Sequence, residues 1–183
     1  MFKKKVKLKI HNPSCDIRQK GFKNGNWTDL AANGDQYLNP PNLIVTRNSK
    51  EEFQSPNFRF VYLPLGVSMT LPKWYGAEIK PRSSTFKNFG IIQTNSVGEV
   101  EAVFSEEWRF PSLQFKRGLI ENGERFCQFQ IKLLSEAPWY MKIADLFVSG
   151  FKYEEVDVLT TTRGGLGSTG TTIKDASQLT LAI

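Results

Sequence analysis

The chain of 183 residues has one histidine and two cysteines, and it contains no apolar run of transmembrane length. Each scarcity removes a class of function. His11 alone cannot supply both a histidine-based triad and a separate metal ligand, and its basic, alternating surroundings predict a surface or loop position. Cys15 and Cys127 make neither a disulfide framework nor a CxxC pair, so two ordinary reduced thiols are expected. The amino terminus is basic but lacks the continuous apolar segment of a secretion signal, which predicts a cytoplasmic protein without membrane association.

What is present is a net charge of +6, a 40% apolar content and 14 phenylalanines, enough for one well-packed domain. The charge draws anions in general, and nucleic acid, phosphorylated metabolites and membrane surfaces all qualify. Apart from Lys3 to Lys9 the cations are scattered rather than gathered in a stripe, so stable nucleic-acid binding is not expected.

Alternation dominates the pattern. Val6, Leu8 and Ile10 face one way and Lys5, Lys7 and Lys9 the other, as in a strand with one wet face. Further strands are expected at residues 43–46, 58–63, 75–80, 126–133 and 147–153, separated by Gly, Pro, Asn and Asp clusters. Helical periodicity is scarce, with one turn expected around residues 83–88. Residues 90–104 read as a β-hairpin around Asn95-Ser96-Val97-Gly98.

Three segments carry candidate chemistry. In Pro81-Arg82-Ser83-Ser84-Thr85 a rigid proline delivers a guanidinium and hydroxyls into a turn, which suits either phosphate binding or a capped surface turn. Asn95 could pair with a base edge, with Gly98 allowing close backbone approach, although both are also good turn residues. The Gly-rich stretch from Thr160 to Thr172 is either an arm offering N–H groups and hydroxyls to phosphate or a plain linker.

Together with Gly123-Glu124-Arg125-Phe126-Cys127-Gln128, these segments resemble the ordered motifs of the trimeric dUTP pyrophosphatase (dUTPase) family, phage-type members in particular. Gly25-Asn26-Trp27-Thr28-Asp29-Leu30 is similar to the first motif. Arg82-Ser83-Ser84 and the run from Gly90 to Phe104 are similar to the second and third, Gly123 to Gln128 to the fourth, and Gly164 to Gly170 to the fifth. The resemblance covers residues 25–170 and rests on five motifs in order.

The resemblance implies an all-β, dUTPase-like distorted jelly roll (β-clip) over residues 1–158, with a mobile carboxyl-terminal arm over 159–183. It implies a homotrimer with shared active sites, acting in the cytoplasm of a bacterial host. The implied reaction cleaves dUTP to dUMP and pyrophosphate by water attack on the α-phosphorus, with Mg2+ as cofactor. Glu101 would activate the water. Asn95 and Gly98 would read uracil, Phe104 would lie under the sugar, and Arg82, Ser83, Ser84 and Gln128 would hold phosphates. Arg163, Ser168 and Thr169 would hold the terminal phosphate, Leu166 would cover the base, and Asp29 would meet the metal through water.

Departures from the pattern point to reduced activity: Glu101 is one methylene longer than the family's Asp, Phe104 lacks the usual Tyr hydroxyl, and Leu166 replaces a Phe. They also motivate an alternative, a dUTP-binding trimer with little catalysis that acts as a regulatory or interaction protein, with a regulatory protein partner. A related deaminase acting on dCTP is a third reading. Residues 39–56 carry no functional reading.

Overall fold

The computed structural model describes residues 2–40 and 59–159. Strand β1 (Phe2–Ile10) turns Val6 and Leu8 fully inward and leaves Lys5 and Lys7 exposed, as the alternation requires. It lies between β6 (Val67–Thr70), which is antiparallel to it, and β13 (Val148–Glu155), which is parallel. The exposed ion pair between Lys5 Nζ and Glu154 Oε1, at 3.1 Å, adds at most about 1 kcal/mol. Burying Val6 and Leu8 contributes about 1.5–3 kcal/mol each and is what holds the strand.

A second sheet has the spatial order β2 (Lys23–Asn24), β3 (Trp27–Ala31), β12 (Arg125–Leu133), β7 (Tyr75–Pro81) and β9 (Gly98–Val100). A third orders β5 (Arg59–Pro64), β10 (Arg109–Gln114) and β8 (Ile91–Gln93), while β4 (Gln36–Leu38) pairs with β11 (Gly118–Ile120). The all-β architecture is thus the one expected. The second and third sheets meet through aromatic rings packed edge to face: Phe110 against Phe126 at 5.4 Å, with Trp108 against Phe129 at 5.3 Å beside them. All four rings are essentially inaccessible to solvent.

One irregularity in β12 shapes the turn after β7. Arg125 faces Ala31 on β3 while Cys127 faces the adjacent Leu30, so Phe126 is an extra residue, a β-bulge. The bulge lets consecutive Phe126 and Cys127 both enter the core and turns the Phe126 carbonyl toward the end of β7.

The hairpin expected around Asn95 over residues 90–104 is not formed: β8 pairs with β10 and β9 pairs with β7, in different sheets. The arms are three residues each, and longer strands compete for both. The turn between them contains Ser96 at φ 55°, and the Thr94 N–H prolongs the β8–β10 ladder by donating to Pro111 O at 3.2 Å.

Two short helices complete the described chain. α1 (Thr85–Phe89) is the expected turn, closed by Gly90 at φ 61°, whose N–H donates to Phe86 O at 2.8 Å. α2 (Trp139–Asp145) was not expected. His11 is exposed, its Nε2 2.7 Å from Ser68 Oγ. Both thiols are free and buried, and burial pushes Cys15 up to about 11. No helix among the described residues is long and apolar enough to cross a membrane. The strand expected at 43–46 and the arm from residue 160 onward lie outside the described residues.

Candidate functional site

The cationic part of the site grows from the end of β7. Pro81 fixes its own φ and offers no N–H, and the chain then turns through Arg82, Ser83 and Ser84 into α1. The bulge carbonyl ties this turn down: Phe126 O accepts the Arg82 N–H at 3.2 Å and also the hydroxyl of buried Thr85. Thr85 N–H in turn donates to Arg82 O at 3.0 Å. Ser84 occupies the N-cap of α1, yet its side chain makes no capping hydrogen bond, and Ser83 is exposed. The helix therefore does not use the Ser84 hydroxyl, which argues against a simple capped surface turn.

Gln128 lies across from Asp29 on one side and Lys80 on the other, so the three side chains share one face of the sheet. Its Nε2 donates to Pro81 O at 3.3 Å. Asp29 is 1% exposed and sits between two guanidinium groups, with Arg82 Nε 3.4 Å from Oδ1 and Arg125 Nη1 3.3 Å from Oδ2. Burial pushes its carboxyl above the usual range, against the pull of Arg82 and Arg125. Among the described residues Oδ1 has no hydrogen-bond partner.

A second part lies around the β8–β9 turn. Gln93 bridges the sheets, its Nε2 donating to Ile79 O at 3.0 Å and to Asn95 Oδ1 at 2.8 Å. This orients the exposed Asn95 amide so that its NH2 group faces away from Gln93. Gly98 is buried opposite Ile79, where a Cβ would come within 2.9 Å of Gln93 Nε2. Glu101 is exposed just past β9, its carbonyl accepting the Phe104 N–H at 3.1 Å, and the Phe104 ring packs half-buried against the core.

The fold brings Arg82, Ser83, Ser84, Gln128 and Asp29 together but does not add Glu101 to them within one chain. Val100 pairs with Ala77 near the start of β7, and Arg82 follows its far end. From Ala77 to Arg82 the strand runs about 17 Å. The four positions on the arm, Arg163, Leu166, Ser168 and Thr169, lie outside the described residues. Arg125 and Gln93 were not singled out from the sequence, and Thr85 was read there as one hydroxyl of the turn rather than as its anchor. Arg125 lies inside the fourth motif, but its role depends on the bulge, and Gln93 acts through a bridge between sheets that no local pattern announces.

No family model matches the chain. It is 38% identical over 151 residues to the SPbeta prophage-derived deoxyuridine 5'-triphosphate nucleotidohydrolase YosS of Bacillus subtilis, a match spanning 80% of this chain and 85% of that one. The deoxyuridine 5'-triphosphate nucleotidohydrolase of Maricaulis maris is 31% identical over 111 residues, 60% of this chain and 66% of the relative. Among solved structures, the dUTPase of S. aureus phage phi11, which coordinates a structural Mg(II) ion, superposes with a TM-score of 0.54 at 10% identity over 73% of this chain and 93% of that one. The Streptococcus mutans dUTPase gives 0.51 at 15% identity over 66% and 87%. These two show the shared fold, and the prophage-derived relative, 38% identical over most of both chains, shows the family: the chain belongs to the dUTPase family.

Proposed function

We propose that this protein hydrolyses dUTP to dUMP and pyrophosphate, limiting uracil incorporation into DNA. The observation that carries the reading is the Arg82–Ser84 turn, a guanidinium and hydroxyls that the fold anchors through the Phe126 carbonyl and does not consume in capping. The dUTP nucleotidohydrolases similar to this chain support the choice of nucleotide. Nothing observed at the site favours the alternative of a regulatory trimer with little catalysis.

In this reading Arg82, Ser83, Ser84 and Gln128 grip phosphate oxygens, while the Gln93-oriented Asn95 amide and the backbone at Gly98 read the uracil edge. Phe104 packs beneath the sugar. Glu101 takes a proton from the water that attacks the α-phosphorus; the bond from that phosphorus to the bridging oxygen breaks, and pyrophosphate leaves. Among the described residues no group of three or more His, Cys, Asp or Glu could hold a metal. A magnesium ion would bind together with the triphosphate, and Asp29, 1% exposed and facing Arg82 and Arg125, would meet it through water once its carboxylate opened toward the site. The bound ion would neutralise charge on the phosphates.

Separation of Glu101 from the Arg82 turn along β7 supports a site completed by a second copy, in a homotrimer with shared active sites. The exposed apolar face formed by Phe60, Tyr62 and Ile92 on the third sheet offers such a copy a surface to cover. The arm residues Arg163, Leu166, Ser168 and Thr169 would close over the nucleotide. The test is Glu101→Gln, which should abolish pyrophosphate release from dUTP while leaving binding of α,β-imido-dUTP within about threefold of wild type. Unchanged turnover would remove Glu101 from the mechanism.

A further inference from the structure

Arg82 can serve a phosphate only if part of its guanidinium faces outward, and the structure shows what holds it so. Its Nε faces Asp29 Oδ1 at 3.4 Å, and its Nη1 donates to the backbone carbonyl of Arg125 at 3.0 Å. Nη2 has no partner in the described structure. The other carboxylate oxygen, Oδ2, is taken by Arg125 Nη1, which also donates to Gly21 O while its guanidinium lies 5.6 Å from the Phe22 ring centre.

This division of Asp29 has a physical consequence. A buried carboxylate with both oxygens available takes an arginine in a two-pronged pair, Nε and Nη2 together, which is the stronger geometry. Such a pair would spend the Nη2 donors of Arg82 on Asp29. With Arg125 competing for Oδ2, Asp29 holds Arg82 at Oδ1 through Nε.

We infer that Arg125, acting through Asp29, is a positioning residue that keeps the Nη2 edge of Arg82 turned toward the phosphates of the nucleotide; the inference rests on the dUTP reading above. Removing Arg125 frees Oδ2, lets Asp29 draw Arg82 inward and costs phosphate affinity through Arg82 alone. Arg125→Lys keeps a cation able to occupy Oδ2 and loses less than Arg125→Gln.

The experiment measures the affinity of the intact protein for α,β-imido-dUTP by calorimetry, with Arg125→Gln and Arg125→Lys each made in the wild-type and Arg82→Gln backgrounds. Arg125→Gln should weaken binding about ten- to a hundredfold when Arg82 is present, the scale of loss that a misplacement of about 1 Å carries. It should weaken binding by no more than about twofold when Arg82 is absent. Equal losses in both backgrounds, or no loss in either, would overturn the inference, because a merely structural Arg125 does not depend on Arg82. Should Arg125→Gln fail to fold, the lysine variant in the same two backgrounds decides by the same criterion. A wild-type protein that binds no analogue would take the dUTP reading down as well, whereas additive losses on a binding wild type sink only the role of Arg125.

Discussion

Replacing Gly98 by alanine tests how the proposed base-reading turn is built. The new Cβ would come within 2.9 Å of Gln93 Nε2 and 3.4 Å of Ile79 Cβ. The strand cannot retreat without breaking its pairing with β7, so the Gln93 side chain must move. In moving it gives up its bonds to Ile79 O and Asn95 Oδ1. Two such hydrogen bonds are worth about 1–3 kcal/mol together. Replacing glycine also narrows the unfolded ensemble, which returns about 0.4–1 kcal/mol. The net loss is on the order of 1 kcal/mol, or about 2–4 °C in the unfolding midpoint for a chain of this size. The effect on function is larger in kind, because Asn95 loses the group that orients it: KM for dUTP should rise about tenfold with kcat less affected. Calorimetric melting and pyrophosphate-release kinetics read the two effects separately. Gln93→Ala should reproduce the KM change, and combining it with Gly98→Ala should add little. Wild-type KM in Gly98→Ala would refute the claim that Gln93 sets the Asn95 amide.

Two further predictions follow from the same geometry. Because Glu101 and the Arg82 turn sit at opposite ends of β7, mixing inactive Glu101→Gln and Arg82→Gln proteins under subunit exchange should restore part of the dUTP hydrolysis, and mixtures that stay inactive would contradict shared sites. Glu78 accepts Lys132 Nζ at 2.7 Å and Lys80 Nζ at 3.2 Å with its side chain 21% exposed, and the Lys132 bond, the largest cause, holds its carboxyl below the usual range against the burial cost. A carboxyl lowered on folding stabilises above its unfolded pKa and loses that contribution as pH falls through its folded value, so Glu78→Gln should cost about 0.5–1 kcal/mol at pH 7 and nothing in strong acid. Glu99, directly opposite on β9, works against the pair and sets the low end of that figure. Urea titrations at the two pH values check it; a pH-independent difference would refute it.

How much of this was legible in the sequence depended on whether the pattern was local. β1 follows from alternation because it buries one face, and β13 because Phe151 and Tyr153 on one face pack partly buried against the core, whereas β7 and β12, buried at consecutive residues, follow from their β-branched and aromatic content. β10 did not, since Pro111 sits inside it and reads as a break although its partner strand tolerates it there. α2 escaped because its large apolar residues are mostly exposed, Trp139, Tyr140 and Ile143 among them, while Met141 packs against the core. The 90–104 segment announced a turn correctly but could not say which strands its arms would join. At the site, Arg82, Ser83, Ser84, Asn95 and Gln128 stood out as residue types in a motif. The contributions of Thr85, Arg125 and Gln93 arise from a bulge and a bridge between sheets, contacts made across long stretches of chain.

The central claim is the choice of nucleotide and bond. Pyrophosphate release from dUTP, dCTP, dTTP and UTP, each measured with magnesium and with chelator, addresses it directly. The account predicts magnesium-dependent release from dUTP alone, and release from dCTP or dTTP at a comparable rate, or none from dUTP, would contradict it.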